Sequence, residues 1–200
     1  MLCTPVLAIG TTRRTVRLLV AALVACVGVA SLAGGAAIYA KAALAQVLLH
    51  VAWARTQATG APARPWPWAD LQPVARLTAP ALGADVLVLS GASGRTLAFG
   101  PGLLPGSAPP GGTGNSVLVA HRDTHFRFLR RLVPGDDVVL EGIDGARHRY
   151  RVRRSYVADR SAIDLPRATP APTLTLVTCF PFDALVPGGP LRYIVVAEAS

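Results

Sequence analysis

The sequence predicts a small all-β domain, a sandwich or a barrel, standing behind one membrane-spanning helix. Two observations carry this. From Val74 onward the chain breaks into short runs rich in Val, Leu, Thr and Tyr, separated by Gly- and Pro-rich turns. Regular short strands with that turn chemistry are the pattern of closed or stacked antiparallel sheets. Before them, "LLVAALVACVGVASLAGGAAIY" (Leu18 to Tyr39) holds no charged residue. As a helix it crosses a hydrocarbon layer of roughly 30 Å.

Taken in order, residues 1–17 form a cytoplasmic amino terminus, because Arg13, Arg14 and Arg17 precede the apolar run and basic residues stay inside. Residues 18–40 are the anchor. The small residues of "AKA" (Ala40 to Ala42) offer a signal-peptide cleavage site as the competing reading, but the apolar run exceeds a signal core of roughly 7–15 residues. Residues 41–72 form a linker: a helix from Ala42 to Thr59 ended by Gly60, with an apolar stripe of Leu44, Val47, Leu48, Val51 and Trp53, then "APARPWPWADLQP", where four prolines forbid regular structure. Trp66 and Trp68 there suit a membrane interface or the boundary of the domain equally. Residues 73–200 are the exported domain. Its strands read as "VARLTAP", "DVLVLSG", "TLAFGPG", "NSVLVAH", "DDVVLEG", "RHRYRVRRSYV", "TLTLVTC" and "LRYIVVAEA", with a short helix over Arg122 to Leu132 after the strand that ends at His121.

The net charge of +9 does not mark a nucleic-acid binder. Six basic residues and no acidic ones precede Asp70, whereas the domain carries fourteen arginines against eleven acidic residues. Most of the excess therefore belongs to the anchor and its flanks, where anionic lipid is the partner. The one dense basic stretch, "ARHRYRVRR", alternates with period two and reads as a strand whose arginine face discourages edge pairing.

Cys3 and Cys26 belong to the amino terminus and the anchor, which leaves Cys179 alone in the domain. It cannot close an internal disulfide; it is either a buried thiol or one kept for chemistry. In the strand "TLTLVTC", Thr175 and Val177 share a face with Cys179, while Leu174 and Leu176 take the other, which argues against a core cysteine. By the same parity, Val117 and Val119 lie with His121, and Ile194 and Val196 with Arg192. A thiol nucleophile needs an imidazole to manage its proton and a donor for the oxyanion. Cys179, a histidine and an arginine would be sufficient parts. His121 and His125 at helical spacing also suggest a metal pair, but no further ligand cluster completes a site, so no metal or other cofactor is expected. Asp123 either orients an imidazole or caps the helix.

Thr175-Leu176-Val177-Thr178-Cys179 matches the Thr-Leu-x-Thr-Cys signature of the sortases, membrane-anchored cysteine transpeptidases. "LVAHRDTHF" resembles the segment that carries that family's catalytic histidine, and Arg192 opens the last strand thirteen residues after Cys179, where sortases carry their arginine. "PWPWAD", "GNSVLVAHRDTHF" and "TCFPFDALVPGGPLRY" look most like the proteobacterial, Gram-negative type. The resemblance implies an eight-stranded sortase β-barrel with His121, Cys179 and Arg192 as catalytic residues, and Thr178 and the Phe180 N–H as secondary, substrate-binding contributors. It implies a secreted partner with an LPxTG-like carboxyl-terminal sorting signal, an unspecified amine acceptor, and a single-pass inner-membrane location with the domain in the periplasm. Asp159 and Asp164 alone precede Thr173 in the loop where some sortases bind calcium, so calcium is not expected. Two other readings stand beside this one. A papain-like enzyme or an L,D-transpeptidase is disfavoured, because the histidine precedes the cysteine and no Ser-His-Gly-Cys pattern occurs. A non-catalytic, membrane-tethered β-domain that binds an envelope partner would keep the same residues without using them.

Overall fold

The computed structural model describes residues 9–186 and 188–200. The first eight residues of the predicted 1–17 segment, Cys3 among them, and Pro187 of the "VPGGP" turn lie outside the described residues. The chain divides into two compact units, the second being Ala45–Ser200.

Helix α1 runs from Ile9 to Thr59 without a break, so the anchor and the helix read after it are one element. At 1.5 Å per residue its length is roughly 75 Å, more than twice a hydrocarbon layer. Its most apolar window has a mean hydropathy of 2.3 and is not covered by protein, which is the composition of a membrane span. Within the second unit the end of α1 buries Ala45, Leu49, Ala52, Trp53 and Thr56, of which only Trp53 belongs to the predicted stripe. Leu44, Val47 and Val51 remain exposed. The stripe is displaced because the two alanines and Thr56 let the helix approach closely, with Leu49 and Trp53 as its two large anchors against Leu71, Leu87 and Leu89. Gly60, at φ +68°, ends the helix by returning its N–H to the Thr56 carbonyl.

Eight strands follow: β1 (Pro73–Ala79), β2 (Ala84–Ser90), β3 (Gly102–Leu103), β4 (Asn115–Val119), β5 (Asp137–Gly142), β6 (Arg147–Asp159), β7 (Thr173–Cys179) and β8 (Leu191–Ala199). They close into a barrel in the order β1-β2-β3-β4-β7-β8-β6-β5. The expected eight-stranded barrel is therefore present, with two local corrections. "TLAFGPG" does not start a strand at Thr96. Ser93 accepts the Thr96 N–H and caps a short helix α2 (Gly94–Leu97), and β3 begins only at Gly102. A Cβ at Gly102 would lie 2.1 Å from the Gly91 carbonyl oxygen, so the β2–β3 approach requires glycine. The helix expected over Arg122 to Leu132 is a set of turns followed by a 3-10 segment, Arg127–Arg131, which buries Phe128 and Leu129.

Strand β6 is not an edge. It pairs with β5 on one side and β8 on the other, and its arginines meet carboxylates across the ladder: Arg151 with Asp137, and Arg153 with Glu198. Tyr150 and Val152 alternate with them into the interior, up to a register shift between Val152 and Arg154. The barrel interior is filled by Leu77, Val88, Leu118, Leu140, Tyr150, Leu174, Leu176 and Val195, all essentially inaccessible. Strand β7 is buried on both faces from Thr173 to Thr178. Leu174 and Leu176 enter the interior, while Val177 joins Val117 and Ile194 in a second apolar cluster. Two-sided burial suits a strand flanked by a parallel neighbour, β4, and an antiparallel one, β8.

Candidate functional site

Strands β4, β7 and β8 are adjacent in the barrel, and the three singled-out residues sit at or just past their neighbouring ends. Cys179 is the last residue of β7 and pairs with Arg192 of β8. The Phe180 N–H donates to the Leu191 carbonyl at 3.0 Å, so Phe180–Leu191 is the hydrogen-bonded pair of that ladder. Cys179–Arg192 is then a non-hydrogen-bonded pair, the kind in which side chains approach more closely. On the other side, β4 and β7 run parallel with Val119 opposite Val177, and the Ala120 N–H continues the ladder to the Val177 carbonyl. His121 follows two residues after β4 ends, at the same end of the sheet as Cys179. The fold thus places at one end of the sheet three residues that the chain keeps apart.

Parity explains the face. Leu118 and Ala120, Leu174 and Leu176, and Val195 all lie in the barrel interior. The alternate residues Val117, Val177 and Ile194 form the second cluster, with Val119, Leu104, Tyr156, Ile163 and Leu165 packed around it. Cys179 and Arg192 continue that outer face. The cysteine is partly accessible and His121 is exposed, so the thiol is not a core residue. What results is a covered apolar cluster outside the barrel interior, with a thiol, an imidazole and a guanidinium toward one end of its strands.

Arg192 is held by its own loop. Its Nη1 donates to the Gly189 carbonyl at 2.7 Å and to the Leu191 carbonyl at 2.8 Å. The carboxyl of Asp159 lies below the ordinary carboxylate value. Hydrogen bonds from the Ser161 hydroxyl and N–H are the first cause, and the charges of Arg160 and Arg192 add to them.

Thr178 and Phe180 are placed differently from the thiol. Thr178 is only 2% exposed, and its hydroxyl donates to the Ala120 carbonyl at 2.8 Å, pinning β7 to the residue before His121. The Phe180 N–H is engaged by Leu191, and its ring belongs to an aromatic group with Phe182 and Tyr193, centroids 5.2 to 6.3 Å apart. His125 is half-buried. Burial first, and then the neighbouring His121, push it below the ordinary imidazole value, against a hydrogen bond to the Ala98 carbonyl. Asp123 lies beside Arg122 and is mostly exposed. Among the described residues no group of three or more His, Cys, Asp or Glu could hold a metal ion. Trp66 meets Phe99 edge-on at 5.5 Å and so caps the domain, whereas Trp68 is 83% exposed.

Sequence reasoning passed over Arg122. It is 4% exposed, and its Nη2 donates to the carbonyls of Ala184 at 2.9 Å and Val186 at 3.3 Å, tying down the loop between β7 and β8. Nothing in the sequence sets it apart from the other arginines. The loop it holds carries Leu185, 98% exposed, and Val186.

A model of the sortase domain family matches residues 77–200. Sortase D of Bacillus subtilis (strain 168) is 31% identical over 125 residues, covering 61% of this chain and 61% of that protein. The chain thus spans less than two thirds of the length of that curated relative. Among solved structures, a sortase D5 transpeptidase of Clostridium perfringens superposes with a TM-score of 0.57 at 25% identity, over 64% of this chain and 79% of that one. Sortase A of Corynebacterium diphtheriae superposes with a TM-score of 0.60 at 27% identity, over 66% of this chain and 63% of that one.

Proposed function

Given that this chain belongs to the sortase family, we propose that it is a membrane-anchored cysteine transpeptidase acting on an LPxTG-like sorting signal near the carboxyl terminus of a secreted protein. The observation that supports this most directly is the pairing of β4, β7 and β8, which puts His121, Cys179 and Arg192 at the same end of these strands.

The chemistry runs in two halves. The Cys179 thiolate attacks the carbonyl carbon of a Thr-Gly-like peptide bond, and the carbonyl oxygen becomes an oxyanion. Arg192, a donor that keeps its charge, stabilises that oxygen after exchanging its loop carbonyls for it. As the C–N bond breaks, His121 gives its proton to the leaving amine, and a thioester remains on Cys179. An incoming amine then attacks the thioester, His121 takes the proton back, and the Cys179 thiolate is released. The substrate ends joined to the acceptor through a new amide bond. Thr178 acts from behind, fixing the backbone that precedes His121. In this reading α1 is a single-pass inner-membrane anchor and the barrel faces the periplasm.

The test is mass spectrometry of the full chain in detergent with a peptide containing Leu-Pro-x-Thr-Gly. The expected result is cleavage after Thr and a transient adduct on Cys179, both lost in Cys179→Ala. A Cys179→Ala protein that cleaves as fast as the wild type would end the proposal. Loss of the general acid in His121→Ala should slow turnover by about 10²- to 10⁴-fold.

A further inference from the structure

Next to His121 in the chain, Arg122 lines a strongly basic cavity. It measures about 280 Å³ and is lined by Arg122, Asp123, Arg127, Arg130 and Phe182. Three guanidinium groups against one carboxylate leave it positive. Arg127 and Arg130 belong to the 3-10 segment and are exposed, so their side chains can move toward a guest.

Arg122 behaves differently from both. Although it is 4% exposed, its Nε and Nη1 have no hydrogen-bond partner among the described residues. The Asp123 Oδ1 lies 3.4 Å from Nε but is not aligned to accept a hydrogen bond. Only Nη2 is satisfied, by the two loop carbonyls. Buried charged donors are normally paired, because leaving them unpaired forfeits their hydration. A planar guanidinium with two vacant donor directions, flanked by two exposed arginines, matches the oxygens of a phosphate group.

We propose that this cavity binds a phosphate group, with Arg122 as its fixed donor and Arg127 and Arg130 closing over it. The group reaches Nε and Nη1 by displacing the side chains that now shield them from water. The phosphate comes either from a soluble phosphorylated molecule or from a lipid headgroup. The site does not depend on the thiol chemistry, and its test does not use activity.

The experiment follows the Arg122 Nε–Hε signal by NMR in the full chain, held in non-ionic micelles. One arm adds inorganic pyrophosphate; the other replaces part of the micelle by phosphatidylglycerol. The expected result is a saturable shift of that signal in at least one arm, which also assigns the source. Arg127→Gln combined with Arg130→Gln should weaken the response about tenfold or more. Both positions are exposed, so this pair leaves the fold intact. Arg147→Gln with Arg151→Gln, which removes equal charge from β6, should leave it unchanged. The proposal is overturned if neither arm moves the signal, if the Arg127/Arg130 pair changes nothing, or if the β6 pair weakens the response as much.

Discussion

Replacing Thr178 by valine removes one hydroxyl and almost no volume. In the folded protein that hydroxyl is the donor to the Ala120 carbonyl at 2.8 Å, and Thr178 is 2% exposed, so water cannot take its place. Two terms add. The net hydrogen bond is worth about 0.5–1.5 kcal/mol, and a buried carbonyl left without a donor costs about 1–3 kcal/mol. The two overlap, because the second is partly the loss of the first, and a total of about 2 kcal/mol is expected. For a chain of this size that lowers the melting temperature by about 4–8 °C. Thermal unfolding of the full chain in detergent measures it. Peptide cleavage should fall further than stability does, because Ala120 directly precedes His121, and a misplacement of about 1 Å can cost on the order of 10²-fold. Thr178→Ser keeps the donor and loses a methyl, so it should retain most of the rate. The reasoning fails if Thr178→Val melts and cleaves like the wild type, or if Thr178→Ser is equally damaged.

Other outcomes follow from the same coordinates. Leu176→Ala opens a cavity at a fully buried position in the barrel and should cost about 2–5 kcal/mol in denaturant unfolding. Trp53→Ala should cost about 3–5 kcal/mol because that ring anchors the end of α1 on the second unit, whereas Trp68→Ala, at an exposed ring, should stay within about 0.5 kcal/mol. Gly102→Ala drives a methyl into the Gly91 carbonyl and should destabilise by about 1–3 kcal/mol, read as a lower melting temperature. Burial holds His125 below the ordinary imidazole value in the folded protein. Below that value the unfolded chain binds a proton that the folded one resists, so stability is full above it and declines as pH falls toward the folded value. His125→Gln should flatten this slope in unfolding curves collected across that range.

The strands were legible because most of them announce themselves by alternation, which left sandwich and barrel both open; the barrel came from the family resemblance. "TLTLVTC" and "LRYIVVAEA" begin and end where the structure has them, and their parity already separated Leu174 and Leu176 from Cys179. The short third strand was misread at Thr96 because its run of apolar residues outweighed a serine cap that acts three residues away. The buried stripe of α1 was misassigned because alanine and threonine contribute little to an apolar pattern and yet decide how closely a helix can pack. "ARHRYRVRR" was recognisable as a strand, but its neighbours were not, since pairing with β5 and β8 is a property of topology. Arg122 was invisible for the same reason. Its neighbours Ala184 and Val186 come from a loop more than sixty residues away, and only the folded chain shows that it is buried.

The parallel pairing of β4 with β7 has a consequence for the folding chain. Strands β5 and β6 both lie between β4 and β7 in the chain, so the β4–β7 pair closes across a long intervening segment. Such distant pairing is late and slow to form. By contrast β7 and β8 are consecutive strands, so Cys179 and Arg192 pair across a short connection. The end of the sheet that carries His121, Cys179 and Arg192 is therefore complete only once the β4–β7 pair has formed.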